Sequence, residues 1–132
     1  MKTVAKILLK DLNNKILVLT RSDTHPHYPL HLDFPGGLVN PGELPDQAVI
    51  RELLEETGLT ISQEVISKIM EIPNGNAIHL LYEGTINSKS PNIHLSWEHN
   101  SYEWIDRDKL LQIEHPEGVD SYYIDAIRHI QS

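Results

Sequence analysis

The sequence contains no cysteine, which excludes disulfide bonds, thiolate zinc sites and cysteine nucleophiles. It also contains no apolar run that approaches the roughly 20 residues needed to span a bilayer. The first six residues carry too little continuous apolar sequence for a secretory signal peptide. These absences predict a cytoplasmic protein that does not contact a membrane.

Basic residues are scarce. Eleven Lys and Arg residues oppose 19 Asp and Glu residues, which gives a formal net charge of −8. This balance disfavours polymeric nucleic acid as a partner, because affinity for a phosphate backbone depends on Lys and Arg displacing counterions. A small anionic substrate would need a cation that the protein does not supply, and metal ions are the natural source.

The length of 132 residues and the apolar content of 39% suit one compact domain, residues 1–132, rather than two. Aliphatic runs between turn residues predict strands at 3–9, 15–20, 32–34, 67–72, 77–85, 93–97 and 101–105. Pro35, Gly36 and Gly37 are expected to break the third strand. Helices are predicted at 46–57, 108–111 and 119–130, with Gly58 ending the first. This pattern predicts an α/β domain with helices packed on a sheet.

The helix at 46–57 concentrates acidic side chains on one face. Glu52, Glu55 and Glu56 follow the i, i+3, i+4 spacing of surface neighbours, with the small Ala48 one turn earlier. The opposite side is apolar and is expected to be buried against the sheet; it consists of Val49, Ile50, Leu53 and Leu54. The three carboxylates should therefore converge around a small residue that leaves room for an ion or a phosphate.

An ordinary solvent-facing helix surface is the simplest alternative for these glutamates. Arg51, which can reach Glu55, is the only cation nearby in the helix. Each like-charge pair costs roughly 0.2–0.5 kcal/mol, and the helix dipole disfavours anions in the second half of the helix. A sequence that tolerates both costs is better explained by a bound divalent cation. Mg²⁺ takes carboxylate oxygens and bridges to substrate phosphates.

The segment before the helix supplies two further features. Gly36 and Gly37 let the backbone approach a ligand closely, and Glu43 adds a fourth carboxylate from a loop. Five residues separate Gly37 from Glu43, and seven more separate Glu43 from the segment 51–59 (RELLEETGL). The segment 37–59 resembles a complete Nudix box. The resemblance implies a Nudix-type α/β/α sandwich with a mixed β-sheet. It also implies metal-dependent hydrolysis of a pyrophosphate linkage in a nucleoside-diphosphate-containing substrate.

The resemblance also implies roles for individual residues. Glu52, Glu55 and Glu56 would be the catalytic metal ligands, with Glu52 or Glu56 also serving as base, and Arg51 would orient a glutamate. Glu43 and the carbonyl of Gly36 or Gly37 would complete the metal site, with Gly36 and Gly37 also contacting substrate. Mg²⁺ is the expected ion, with Mn²⁺ as a substitute. Water, metal ions and a carboxylate base suffice for this reaction without a covalent intermediate.

Two positions leave alternatives open. A further metal-binding carboxylate is expected from a loop near the end of the sheet, and Glu98 is favoured over Glu103. Leu38 follows the glycine pair where some mutator-type members of the family have lysine. Phosphate contact must then come from elsewhere, and Arg21 is the first candidate for substrate binding; the alternative is a solvated arginine at the end of a strand.

Aromatic and histidine side chains lie outside the box. The loop containing His25, His27 and His31 is a candidate for contact with base or phosphate, and less so for an independent zinc site. The residues Trp97, Tyr102 and Trp104 are expected to pack in the core or at an edge rather than to stack on a base. The loop at 113–119 is a candidate border of the base pocket.

A small-molecule nucleotide is the expected partner, with (deoxy)nucleoside triphosphates as the first substrate class. Dinucleoside polyphosphates, ADP-ribose, nucleotide sugars and capped RNA ends stay open. A nucleotide-sensing regulatory module without hydrolytic activity is the main alternative, and a plain acidic interaction domain is a third. The resemblance is also compatible with a homodimer, since homodimers are common in this family.

Overall fold

The computed structural model describes residues 2–89, 91–114 and 120–132. Within them lie seven strands: β1 (Lys2–Lys10), β2 (Ile16–Arg21), β3 (Leu32–Asp33), β4 (Gly36–Leu38), β5 (Ile66–Asn74), β6 (Ala77–Thr85) and β7 (His99–Ile105). The α-helices are α1 (Pro45–Thr57), α2 (Arg107–Leu111) and α3 (Ser121–Gln131), and a short 3-10 helix covers Gln63–Val65. None of the described helices is long and apolar enough to cross a membrane.

The strands form one mixed sheet in the order β3-β2-β1-β6-β5, with β4 also paired to β1 and β7 also paired to β2. Strands β1 and β6 are parallel, and the other pairs are antiparallel. In the β1–β4 pair, Val4, Ala5 and Lys6 lie opposite Leu38, Gly37 and Gly36. Strand β1 therefore holds the glycine segment directly.

Helices cover both faces of the sheet. Side chains of β1 and β2 alternate between the two faces, as the strand geometry requires. Ile7 and Leu17 pack with Val49 of α1 in one core cluster, whereas Leu8 and Val18 pack with residues of α2 and α3 in another. The expected α/β/α sandwich with a mixed sheet is confirmed by this arrangement.

Helix α1 begins one residue earlier than predicted, at Pro45, and ends at Thr57 as predicted. Pro45 occupies the first helical turn. A backbone N–H at this position would have no partner within the helix, so the lack of one in proline costs no hydrogen bond. The side chain of Gln47 accepts a hydrogen bond of 3.3 Å from the amide of Leu44. At the other end, Gly58 adopts φ 77° and donates its amide to the carbonyl of Leu54, so the predicted glycine stop is confirmed.

Several boundaries differ from the expectation. The predicted strand at 93–97 is wrong, because these residues are irregular and lie against the end of α1. Gly36 and Gly37 do not simply break the chain; they form strand β4 with Leu38. Leu54, which was expected to be buried, is 48% exposed. The loop at 113–119 and the start of the third predicted helix fall partly outside the described residues.

Candidate functional site

A cavity of about 460 Å³ opens where β4, α1 and the loop after β2 meet, and Glu52, Glu56 and Glu98 line it together with Gly36 and Gly37. Three of the predicted metal-binding carboxylates therefore face one space. Their oxygen donors suit a hard divalent cation such as Mg²⁺. The cavity also has the size of a small-molecule site.

Glu56 lies deepest of these carboxylates. The residue is 2% exposed, and its Oε1 accepts a hydrogen bond of 2.8 Å from the amide of Gly36. Burial raises the pKa of Glu56 well above its ordinary value, and burial also raises the pKa of Glu52. Desolvated carboxylates of this kind need a cation to stay ionised, so the residues present fit a metal site.

Glu55 occupies a different position. Its side chain is 56% exposed, and it forms an ion pair of 3.2 Å with Arg51 one turn earlier. The cavity-lining residues do not include it. The structure thus brings Glu52 and Glu56 together inside the cavity and leaves Glu55 outside it, and a metal-binding role for Glu55 stays a prediction.

Arg51 links the acidic residues of the loop and the helix. Its guanidinium donates to both carboxylate oxygens of Glu43, at 2.8 and 3.0 Å, and to Glu52 at 3.0 Å. It also donates to the carbonyl of Leu38 at 2.9 Å. Its hydrogen bond is the first cause of the lowered pKa of Glu43. These contacts suit an orienting role for Arg51, and they engage Glu43 with the arginine rather than with the cavity.

Gly36 is required by close packing of β4 on β1. Its φ is 139°, and an ideal Cβ at this position would lie 2.1 Å from the carbonyl oxygen of Ala5. No L side chain fits there, because both the backbone conformation and the space exclude it. The glycine pair therefore brings the β4 backbone, with its amides and carbonyls, to the edge of the carboxylate cluster.

The two alternatives for the additional carboxylate have different locations. Glu98 lines the cavity, and its Oε2 lies 3.7 Å from Nε2 of His25. Glu103 lies on strand β7, where its side chain is 56% exposed and forms an ion pair of 3.7 Å with Lys109. Only Glu98 is placed to join the cluster, and its metal-binding role stays a prediction.

A buried network around Asp33 forms the deep wall of the cavity, and the sequence did not reveal it. Asp33 is 1% exposed. It pairs with Lys6 at 3.1 Å and with Arg21 at 3.1 Å, and it accepts hydrogen bonds from His99 and from the Tyr122 hydroxyl. Burial acts to raise the pKa of Asp33, but Lys6, His99 and Arg21 together hold it well below its ordinary value.

Arg21 is buried rather than solvated, so that alternative is wrong. The residue is 3% exposed, and besides Asp33 it contacts the carbonyl of His27 at 3.0 Å and the carboxylate of Asp120 at 3.5 Å. It lines the cavity. Its donors are directed at protein acceptors, and its contact with a substrate phosphate stays a prediction.

Two residues of the histidine loop, His25 and His27, line the cavity, whereas His31 does not. Ligand atoms of His25, Asp33 and His99 lie within 4.8 Å of one another, which is the spacing of a metal site. Two cations, Lys6 and Arg21, already pair with Asp33. Their charges disfavour a metal ion at this place, so we interpret the group as part of the Asp33 network.

The aromatic residues divide differently from the expectation. Trp97 is 66% exposed and Tyr102 is 41% exposed, so neither packs in the core; Tyr102 lies on β7, which pairs with β2, and packing at an edge is not contradicted. Trp104 packs against the core as expected. The cavity is lined by other rings, among them Tyr28, His79 and Tyr122, and the last two stack at a centroid distance of 5.3 Å. The amphipathic pattern of α3 could have indicated Tyr122 as buried, but not its position beside the cavity.

Comparison with known proteins gives consistent matches. A model of the NUDIX domain matches residues 1–126. The 8-oxo-dGTP diphosphatase of Escherichia coli (strain K12) is 44% identical over 57 residues, which are 43% of this chain and 43% of that protein. The chain covers only 26% to 52% of the length of the curated relatives it matches.

Solved structures extend the likeness to nearly the whole chain. The crystal structure of the MutT protein from Methanosarcina mazei Go1 has a TM-score of 0.79 at 26% identity, over 98% of this chain and 92% of that chain. The NUDIX domain of Shewanella oneidensis NrtR, solved in complex with ADP ribose, has a TM-score of 0.76 at 16% identity, over 98% and 85%. The second likeness is one of fold alone.

Proposed function

The chain belongs to the NUDIX domain family, and we propose that it is a divalent-metal-dependent pyrophosphohydrolase whose substrate is a nucleoside triphosphate. The observation that carries the proposal is the convergence of Glu52, Glu56 and Glu98 on one cavity. The carboxylates of Glu52 and Glu56 are desolvated there. Burial makes these carboxylates costly to ionise in the metal-free protein, and a bound cation would offset that cost.

The protein's own residues divide the work in this proposal. Glu52, Glu56 and Glu98 hold the metal ions, and Arg51 orients Glu52 through a hydrogen bond of 3.0 Å. Glu56 is anchored by the Gly36 amide, so Glu52 is the better candidate for the base that accepts a proton from the attacking water. When bound, Mg²⁺ would acidify that water and neutralise charge on the phosphate oxygens.

The substrate class is supported by the matched relative and by the cavity. The Escherichia coli relative is named for its activity on a deoxynucleoside triphosphate, 8-oxo-dGTP. The cavity is lined by carboxylates and also by Val4, His79 and Tyr122. In this proposal the nucleoside packs against the aliphatic and ring groups, while its phosphates lie beside the glutamates.

A nucleotide-sensing module without hydrolysis is the second candidate. It is favoured by the likeness in fold to the NUDIX domain of NrtR, which was solved with ADP ribose. Against it stands the full set of acidic residues in the Nudix box, because a module released from catalysis has no need for crowded carboxylates. ADP-ribose and dinucleoside polyphosphates therefore belong in the test panel.

The test is metal-dependent release of phosphate or pyrophosphate from a panel of nucleotides, with the products identified. We expect turnover with Mg²⁺ or Mn²⁺ and none with a chelator, and a loss of about 10–100-fold or more in Glu56→Gln. Glu103→Gln is the matched control, because Glu103 is exposed and paired with Lys109. Tight binding of a nucleotide without cleavage would instead support the sensing module.

A further inference from the structure

Lys6 is a buried cation at the centre of strand β1, and the Nudix box does not contain it. The residue is 7% exposed. Its Nζ lies 3.1 and 3.4 Å from the two carboxylate oxygens of Asp33. It also lies 3.3 Å from the carbonyl oxygens of Phe34 and Gly36. Burying an ammonium is costly unless its hydrogen bonds are made.

These contacts use the donors that the ammonium has. A lysine ammonium carries three N–H groups, and here one carboxylate and two carbonyls receive them. Although Lys6 lines the cavity, it is therefore directed at the protein rather than at a substrate phosphate. The acceptors indicate what it holds in place, namely the backbone that runs from β3 into β4.

Gly36 connects Lys6 to the carboxylate cluster. It lies opposite Lys6 in the β1–β4 pair, and its carbonyl accepts from the Lys6 ammonium. Its amide donates to Oε1 of Glu56 at 2.8 Å. One residue is thus fixed from both sides, by a cation at its carbonyl and by a carboxylate at its amide.

We propose that Lys6 is a positioning residue of the catalytic centre, whose ammonium fixes the Gly36 backbone and thereby holds Glu56 in its metal-binding orientation. This inference rests on the proposed function. A compact ammonium suits three acceptors in different directions, whereas the planar fork of arginine does not. Lys6 acts through Gly36 and Glu56, and it does not itself contact the reacting atoms.

The absence of cysteine allows a sharp test. In Lys6→Cys the new thiol is the only one in the chain, so it can be alkylated in urea before the protein is refolded. Treatment with 2-bromoethylamine restores an ammonium of nearly the length of lysine, and iodoacetamide gives a neutral side chain of similar size. Lys10→Cys, treated in both ways, is the control, because Lys10 lies on the same strand outside the carboxylate cavity.

The measurements are Mg²⁺ affinity by calorimetry without nucleotide, kcat and KM, and melting temperature. We expect the aminoethylated protein to resemble wild type. The neutral form should bind Mg²⁺ about tenfold or more weakly and lose a similar factor in kcat, with KM little changed because substrate contacts remain. The two forms of Lys10→Cys should not differ.

Other outcomes overturn the proposal. Equal Mg²⁺ affinity and kcat in the two alkylated forms would mean that the ammonium positions nothing. Tighter Mg²⁺ binding by the neutral form would mean that Lys6 opposes the metal. If the aminoethylated form alone refolds, the role of Lys6 is confined to folding. Wild type that binds Mg²⁺ but cleaves no nucleotide would refute the proposed function alone, because the affinity comparison still tests Lys6; wild type that binds no Mg²⁺ would refute both.

Discussion

Gly37 and Glu52 are in such close contact that a side chain at position 37 would collide with the carboxylate. An ideal Cβ on Gly37 would lie 2.6 Å from Cδ of Glu52 and 2.8 Å from each of its two oxygens. Unlike Gly36, Gly37 does not have a positive φ. The glycine is therefore needed for space alone, and the space belongs to a candidate metal ligand.

Gly37→Ala should displace Glu52 with only moderate loss of stability. We expect Mg²⁺ affinity and kcat to fall by about 10–100-fold, with about 1–3 kcal/mol lost from the free energy of unfolding through overpacking. Gly42→Ala is the control, because a Cβ there meets nothing within 4 Å although φ is 79°. It should lose stability but keep its Mg²⁺ affinity, as measured by calorimetry and urea unfolding. Unchanged metal binding in Gly37→Ala would contradict the assignment of Glu52.

Replacing Arg51 should release three carboxylates at once. In Arg51→Met, Glu43, Glu52 and Glu55 lose their shared cation. We expect the free energy of unfolding to fall, because the three carboxylates lose their shared hydrogen-bond donor and then repel one another. Because Arg51 orients Glu52 through its hydrogen bond of 3.0 Å, the variant should bind Mg²⁺ more weakly, and Mg²⁺ should stabilise it less than wild type. Arg128→Met, whose side chain is 72% exposed, should show neither effect in urea unfolding.

Asp33→Asn should reveal the pH dependence of the buried network. The ionised carboxylate pairs with Lys6 and Arg21, which holds its folded pKa well below the ordinary value of 3.8 despite burial. A lowered pKa contributes stability that is present above the unfolded value and is lost as the pH falls towards the folded one. At pH 7 the variant should lose about 3–5 kcal/mol, because two buried cations lose their anion.

The difference between wild type and Asp33→Asn should therefore narrow only below about pH 4. Urea unfolding of both proteins from neutral pH down to about pH 2 measures this window. If the difference in free energy of unfolding between the two proteins stayed constant from neutral pH down to about pH 2, an ionised Asp33 with a lowered pKa would be contradicted.

Stabilisation by Mg²⁺ should increase with pH. Burial raises the pKa values of Glu52 and Glu56 in the folded protein. The folded state then binds more protons than the unfolded state above the ordinary value of 4.5, so the metal-free protein loses stability as the pH rises through this window. Mg²⁺ binds the ionised carboxylates. The rise in melting temperature caused by Mg²⁺ should therefore be larger at about pH 8 than at about pH 5, and equal shifts would contradict a metal site at these residues.

Glu98 and Glu103 can be separated by one pair of substitutions. Glu98→Gln should lower kcat by about 10–100-fold, the range found for groups that tune a metal site, since Glu98 lines the cavity. Glu103→Gln should leave turnover unchanged, because Glu103 is exposed on β7 beside Lys109. Steady-state kinetics at saturating Mg²⁺ measures both. A loss in Glu103→Gln alone would reverse the assignment.

The carboxylate helix could be predicted because its information is local. The spacing of Glu52 and Glu56 follows from the helical repeat, and Gly58 marks its end. The depth of each side chain could not be predicted, since it depends on what packs against the helix. Leu54 faces outward at 48% exposure, whereas the acidic Glu56 is 2% exposed.

The irregular segment at 93–97 shows how an alternating pattern can mislead. Its apolar residues Ile93 and Leu95 pack against the core, which produces the alternation typical of a strand. Its backbone instead follows the end of α1: His94 donates to the carbonyl of Thr57 at 2.9 Å, and Ser96 donates to that of Glu56 at 3.2 Å. An alternation of apolar and polar residues indicates which side chains are buried, but it does not show whether the backbone pairs with another strand.

The Asp33 network could not be predicted because its members are distant in sequence. Asp33 is 27 residues from Lys6, 66 from His99 and 89 from Tyr122. Each is a single polar or aromatic residue in its own segment. A lone lysine inside an aliphatic strand was the one available signal, since such a residue must find buried acceptors or distort the strand.

The parallel pairing of β1 with β6 has a consequence for the order in which the molecule is built. Lys2 lies beside Ala77 and Lys10 beside Thr85. Strand β1 therefore cannot complete its pairing until β6 has left the ribosome, which happens after residues 37–59 have been synthesised. A nascent chain that ends before β6 already contains all the glycine and glutamate residues of segment 37–59, but it lacks the strand that pairs with β1 in the sheet. Metal affinity should therefore arise late, once β6 and the segment that carries Glu98 are free to fold, rather than gradually as segment 37–59 is synthesised.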